Sequence, residues 1–335
     1  MNRRTLLAAM TGPFWMAAWR GRAAASAYIV YVGTYTRKTS RGIFAYRFEP
    51  GAGKIAPLGQ VVETPNASWL VPDPSFKYLY AVNESEFQRE PGKPGQVSAF
   101  AVDRSTAKLT LLNRVSAVGG GPCHASLAAG GRFLLVANYG TGSIAVLPVE
   151  SGGRLGEAVS FVQHKGSSVN PQRQQGPHAH CIMPSPDNRF VLVADLGLDQ
   201  ILIYRFDAAR GSLAPNDPPL ARVAPGSGPR HFAFHPNGRL FYVVNEMANT
   251  VTAFNYDRER GALSEFQTIP TLPEGYSERS TSAEILVDRD GRFLYTSNRG
   301  HDSIAVFAID PAKGTLSFVE HVSTQGQTPR GVALG

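Results

Sequence analysis

The stretch Gly226-Ser-Gly-Pro-Arg-His-Phe-Ala-Phe-His-Pro-Asn-Gly-Arg-Leu-Phe-Tyr-Val-Val-Asn-Glu246 decides the fold. It holds two apolar runs of strand length, Arg230 to Phe234 and Leu240 to Val244, separated by the turn-forming residues His235, Pro236, Asn237 and Gly238. An antiparallel pairing brings the residue that enters the first strand beside the one that leaves the second, so Arg230 lies next to Glu246. A cation and a carboxylate at one end of an apolar hairpin form either a structural ion pair or the start of a site.

The hairpin recurs. Copies run from Trp69 to Glu84, His124 to Tyr139, His180 to Asp195 and Ala283 to Asn298. The basic residue that opens each second strand is Lys77, Arg132, Arg189, Arg239 and Arg292, at intervals of 55, 57, 50 and 53 residues. Each copy precedes an alternating third strand, namely Gln96 to Val102, Ser143 to Val149, Gln200 to Phe206, Thr250 to Tyr256 and Ser303 to Ile309. A shorter, more polar fourth strand follows, as near Leu109 to Val115 and Leu316 to Val322. Four antiparallel strands every fifty-odd residues are the signature of propeller blades, and no window sustains a 3.6-residue period, so helices should be nearly absent. The expected class is therefore all-β, a single β-propeller domain over residues 28–335. Tyr28 to Val61 supplies the end of one blade without its first strand, and Thr328-Pro-Arg-Gly-Val-Ala-Leu-Gly335 matches the entry to another. Either the C-terminal strand closes a ring of six by completing the N-terminal blade, or the last blade of a seven-bladed ring is truncated.

Composition sets limits on function. The net charge of +7 falls to +3 once residues 1–27 are set aside, because that segment carries Arg3, Arg4, Arg20 and Arg22 and no acid. The mildly basic remainder gives no reason to expect nucleic acid or an anionic membrane as partner. The segment itself reads as an export signal: basic at Arg3 and Arg4, apolar from Leu6 to Trp19, and small-residued from Ala23 to Ala27. Asn2-Arg-Arg-Thr-Leu-Leu7 has the form of a twin-arginine signal. The expected product is an exported monomer, periplasmic or secreted, with no membrane span after signal removal. Cys123 and Cys181 are the only cysteines, which excludes a disulfide framework.

With the repeats aligned, the chain resembles the lactonase family of seven-bladed propellers, which includes propeller-type 6-phosphogluconolactonases and carboxy-muconate lactonising enzymes. The matching residues are Tyr31-Val-Gly-Thr-Tyr-Thr36, Gly121-Pro-Cys-His124 with Leu134-Leu-Val-Ala-Asn-Tyr139, Gly176-Pro-His-Ala-His180, Gly228-Pro-Arg-His231 and Ser297-Asn-Arg-Gly300. The resemblance covers Tyr28 to Gly335 and implies a seventh blade. It also implies a site: the His, Arg, Glu and Arg of the muconate branch fall on His180, Arg230, Glu246 and Arg299.

Repeat geometry points to the same region independently. Taking Pro122, Pro177, Pro229 and Pro329 as origin, the next residues are Cys123, His178, Arg230 and Arg330. The residues after each second strand are Glu84, Tyr139, Leu196, Glu246 and Arg299. Both sets belong at one end of the hairpins, hence around one mouth of the central channel if the first strand is innermost. Their types differ from blade to blade, as an asymmetric site on a pseudo-symmetric scaffold requires. His178, His124, His231, Glu284 and Arg330 are candidate substrate contacts, although alternation directs His124 and His231 away from the channel. Cys181, adjacent to His180, should pack within its blade, and a bridge to Cys123 is not expected. No third ligand accompanies His178 and His180 at zinc spacing, so neither metal nor cofactor is expected.

These residues suit lactone opening: Glu246 or His180 as base, Arg230 and Arg299 on the oxyanion or a substrate carboxylate. The expected activity is hydrolysis of a small anionic sugar or carboxylate lactone, of the 6-phosphogluconolactonase type. A muconate-type lactone cyclase and a non-enzymatic ligand- or protein-binding propeller are the alternatives.

Overall fold

A computed structural model describes residues 27–36, 40–84 and 94–334. The segment expected to be an export signal therefore lies, but for residue 27, outside the described residues, as do residues 37–39 and 85–93. The described residues form six antiparallel sheets, each running in sequence order from one edge to the other. Blade 1 has three strands, Tyr28–Gly33, Gly42–Glu49 and Lys54–Glu63, and blades 2 to 6 have four each. The first strands of blades 2 to 6 are Ala67–Pro72, Pro122–Ala128, Ala179–Pro184, Pro229–Phe234 and Thr281–Val287. The second strands are Tyr78–Asn83, Phe133–Asn138, Phe190–Asp195, Leu240–Asn245 and Phe293–Arg299. Helix among the described residues is confined to one 3₁₀ turn, Ala129–Gly131.

Burial explains the sequence pattern. Second strands such as Phe133–Asn138, Phe190–Asp195 and Leu240–Asn245 are buried along their whole length. They are continuous apolar runs because both faces pack against neighbouring blades. Fourth strands are mostly exposed or half-buried, as in Leu109–Ser116, where Leu109 alone is buried. The core is divided into clusters between successive blades; Leu192, Phe232, Phe241 and Phe254, for example, meet between blades 4 and 5.

One of the two ring closures is corrected. Residues 324–334 form no strand, so blade 1 is not completed by a C-terminal strand. Arg330 nevertheless reaches the channel mouth, where its Nη2 lies 3.7 Å from Glu84 Oε2.

Candidate active site

The mouth is built by a repeated device. The Asn that ends a second strand is buried, and its Nδ2 donates to the chain entering the same blade. Asn83 bonds Pro65 O at 2.6 Å, Asn138 bonds Ala117 O at 3.0 Å and Asn298 bonds Thr271 O at 2.8 Å. This tie fixes the residue that follows, and so sets Glu84, Tyr139 and Arg299 at the rim. Glu246 takes its place similarly, its N–H donating to Gly228 O at 2.7 Å. Gly228 has φ of +64°, a left-handed turn that favours glycine, and a Cβ there would meet Met247 at 2.9 Å.

A second device aims the inner residues. In blades 2 to 5 the first strand bulges by one residue against the second, leaving Ser68, Cys123, His180 and Arg230 without a Cα partner. A bulge breaks the pleat and redirects a side chain. His180, not His178, is therefore the equivalent of Arg230. The Pro origin misplaces blade 4 by two residues because its strand begins at Ala179, opposite Asp195. His178 precedes the strand, stacks on Tyr139 with centroids 4.5 Å apart, and its backbone N–H donates to Asp195 Oδ1 at 2.7 Å.

The bulge also overturns the outward direction expected of His124 and His231. The ring of His231 in blade 5 lies 5.0 Å from His180 in blade 4, 5.1 Å from His124 in blade 3 and 5.2 Å from Trp69 in blade 2. Side chains from four successive blades meet only at the axis, so the first strand is innermost and these rings line the channel. Cys181 packs into the core between blades 4 and 5, with Sγ 3.6 Å from His124 Nε2. Both cysteines are free and buried.

At the mouth, Glu246 is the centre of a charge cluster. Its Oε2 accepts from Arg230 Nε at 3.1 Å and pairs with Arg299 Nη2 at 2.8 Å, while Oε1 accepts from Arg173 Nη2 at 2.7 Å. Burial pushes the Glu246 carboxyl up, but Arg230, Arg299 and Arg173 outweigh it and hold it at about 2. Arg230 is buried, and its Nη1 donates to Ala283 O at 2.7 Å. Arg299 is fixed by the carbonyls of Thr281 and Ser282. Burial, then Arg230 and His231, hold the His180 imidazole well below its ordinary 6.5, so it is neutral at physiological pH. Deeper in the channel, Glu284 Oε1 lies 2.9 Å from His231 Nδ1, and burial raises the Glu284 carboxyl to about 7.

The structure thus gathers Arg230, Glu246 and Arg299 into one contact network, with His180 and His178 beside it through Tyr139. His124, His231 and Glu284 form a layer below, and Arg330 with Glu84 and Tyr35 forms a separate pair of contacts at the rim. Among the described residues, no group of three or more His, Cys, Asp or Glu is placed to hold a metal ion. Sequence reasoning missed Arg173, which arrives on a long polar loop outside the repeats. It also missed the buried pair of His164 Nδ1 and Asp195 Oδ2, 2.6 Å apart. The signal for the pair was available: blade 4 alone ends its second strand with Asp where the other hairpins have Asn.

The fold and this polar mouth define a β-propeller with an asymmetric binding site on its axis. The family model "Lactonase, 7-bladed beta-propeller" matches residues 29–335, and the chain belongs to that family. It is 36% identical to a 6-phosphogluconolactonase of Bacillus subtilis over 303 residues, covering 90% of this chain and 84% of the relative. A 6-phosphogluconolactonase of Formosa agariphila is 32% identical, with 91% and 86% covered. Among solved structures, a periplasmic gluconolactonase of Pseudomonas aeruginosa superposes with a TM-score of 0.85 at 36% identity, covering 91% of this chain and 85% of the other. The family is seven-bladed, and the described residues form six blades of it.

Proposed function

We propose that this protein hydrolyses a small anionic sugar or carboxylate lactone at the channel mouth, with His180 as base and Arg230 and Arg299 on the oxyanion or a substrate carboxylate. The observation that carries this is the gathering of His180, Arg230, Glu246 and Arg299 from blades 4, 5 and 6 at one opening, in a member of a lactonase family. A neutral imidazole can take a proton from water as the water oxygen bonds to the acyl carbon. The guanidinium groups stabilise the charge that develops on the carbonyl oxygen. The ring C–O bond then breaks, and His180 returns its proton to the leaving hydroxyl, giving the open hydroxy acid.

Glu246 suits a different role from the one expected of it. A carboxylate held at about 2 by three arginines is a poor proton acceptor at neutral pH, and its contribution is to fix Arg230 and Arg299 in place. The export signal expected over residues 1–27 would bring the protein to a substrate outside the cytoplasm, and the likeness to a Pseudomonas gluconolactonase described as periplasmic supports that reading.

Purified protein, assayed by acid release from gluconolactone and 6-phosphogluconolactone, should exceed the spontaneous rate on at least one of them. Arg299→Ala should lower kcat/KM at least roughly tenfold, the usual scale for losing one charge-assisted contact. No acceleration by the wild type on either lactone or on a muconolactone would leave a non-enzymatic binding propeller. Cyclisation of the open acid alone would instead show the muconate-type reaction.

A further inference from the structure

Arg173 sits on the loop from His164 to His178, between the last strand of blade 3 and the first of blade 4. The loop is anchored along its length. His164 Nδ1 contacts Asp195, Ser168 Oγ donates to Asp199 Oδ2 at 2.6 Å and Gln174 Nε2 donates to Leu196 O at 2.9 Å. Its tip is closed by Asn170, whose Oδ1 accepts from the backbone N–H of Gln172 and Arg173 at 2.9 and 3.0 Å. The backbone of Arg173 is thus fixed, while its guanidinium extends across the mouth to Tyr139 Oη of blade 3 and Glu246 Oε1 of blade 5.

Three observations separate Arg173 from the other arginines on Glu246. Its side chain is 39% exposed, against 2% for Arg230 and 14% for Arg299. Its guanidinium bonds side chains only, whereas Arg230 and Arg299 are also held by main-chain carbonyls. It uses Oε1, leaving Oε2 to the other two, so it can leave without disturbing them. The charge balance gives it a reason to leave. Arg173, Arg230 and Arg299 share one carboxylate, so this network holds two positive charges in excess, and an incoming anion offsets the cost of keeping them there.

We propose that Arg173 is a specificity-determining substrate contact. It is a clamp on an anchored loop that turns from Glu246 Oε1 to an oxyanion of the substrate, a phosphate or a second carboxylate remote from the lactone ring bond. Oε1 is then open to accept a hydrogen bond from a sugar hydroxyl. This rests on the assignment of the mouth as a lactone site, and it names the group by which that site selects among lactones.

The test uses three acids that differ only at the far end of one sugar chain. Gluconate ends in a hydroxyl, glucarate in a carboxylate and 6-phosphogluconate in a phosphate. Titration calorimetry on the full chain, with wild type, Arg173→Ala and Arg173→Lys, measures each affinity. Wild type should prefer 6-phosphogluconate or glucarate over gluconate, and whichever is preferred identifies the anion. Arg173→Ala should shrink that preference roughly 10- to 100-fold, the range for a charge-assisted contact, and Lys should restore part of it. An unchanged preference, an equal loss for all three acids, or no binding by wild type would each overturn the proposal. Failure of the lactonase assignment looks different: wild type turns over no lactone, yet the Arg173-dependent preference among acids persists.

Discussion

Glu246 and Glu284 are both buried carboxyls, and their surroundings drive them apart. Glu246 is held at about 2, so its stabilising contribution is present above its ordinary 4.5 and is lost as pH falls toward 2. Glu246→Gln leaves Arg230 buried with its countercharge removed and should cost about 3 kcal/mol near neutrality. Denaturant unfolding should show that difference shrinking below pH 4; a constant difference would mean that the carboxylate charge is not what stabilises. Glu284 has the opposite sign. Its folded value near 7 lies above the ordinary 4.5, so its contribution is complete below 4.5 and lost as pH rises through 7. The neutral imidazoles of His124, His180 and His231 oppose this slope, since they favour the folded state as pH rises to 6.5. The comparison with Glu284→Gln cancels that background. The variant should gain on the order of 3 kcal/mol relative to wild type between pH 4.5 and 8; parallel stability curves would show that Glu284 is ionised throughout.

At the scale of elements, the site depends on loops tied to strand ends. Asp199 is the main tie: its Oδ2 accepts from Ser168 Oγ and Gly226 N, and its Oδ1 accepts from Gly228 N, all within 2.7 Å. One carboxylate thereby holds both the loop that carries Arg173 and the turn that leads into Arg230. Asp199→Ala should raise amide hydrogen exchange over residues 164–178 and 226–230 together, ahead of the blade strands. Faster exchange in only one of the two segments would show that Asp199 does not couple them. The strands themselves were legible in the sequence, because an apolar run between turn residues recurs five times with a basic residue opening each second strand. The bulges were not. Strict alternation sends His124 and His231 outward, and nothing in one blade's sequence shows the extra residue at Cys123, His180 or Arg230 that turns them inward. His178 was aligned with Arg230 for a related reason, since proline marks the entry of blades 3 and 5 but stands two residues before the strand of blade 4.

For the whole molecule, the propeller converts small differences between equivalent hairpins into one asymmetric site. The bulge position supplies Ser68, Cys123, His180 and Arg230 around the axis, and the rim position supplies Glu84, Tyr139, Leu196, Glu246 and Arg299. Leu196 is fully buried and adds no polar group, so the chemistry concentrates on blades 4 to 6 with Tyr139 at its flank. Arg230, Glu246 and Arg299 were legible because they fall at matched positions of a repeat, and His180 because the family resemblance placed it. Arg173 was not, because the loop between blades 3 and 4 that carries it lies outside the repeat alignment, and only its side chain reaches Glu246 of blade 5. The most direct measurement is the pH dependence of kcat/KM for lactone hydrolysis by wild type and His180→Gln. Wild type should keep its activity well below pH 6.5, since burial and Arg230 keep the imidazole unprotonated there, and the variant should lose roughly 10²- to 10⁴-fold. Wild-type activity that falls with an apparent pKa at or above 6.5, or a variant as active as wild type, would contradict His180 as the base.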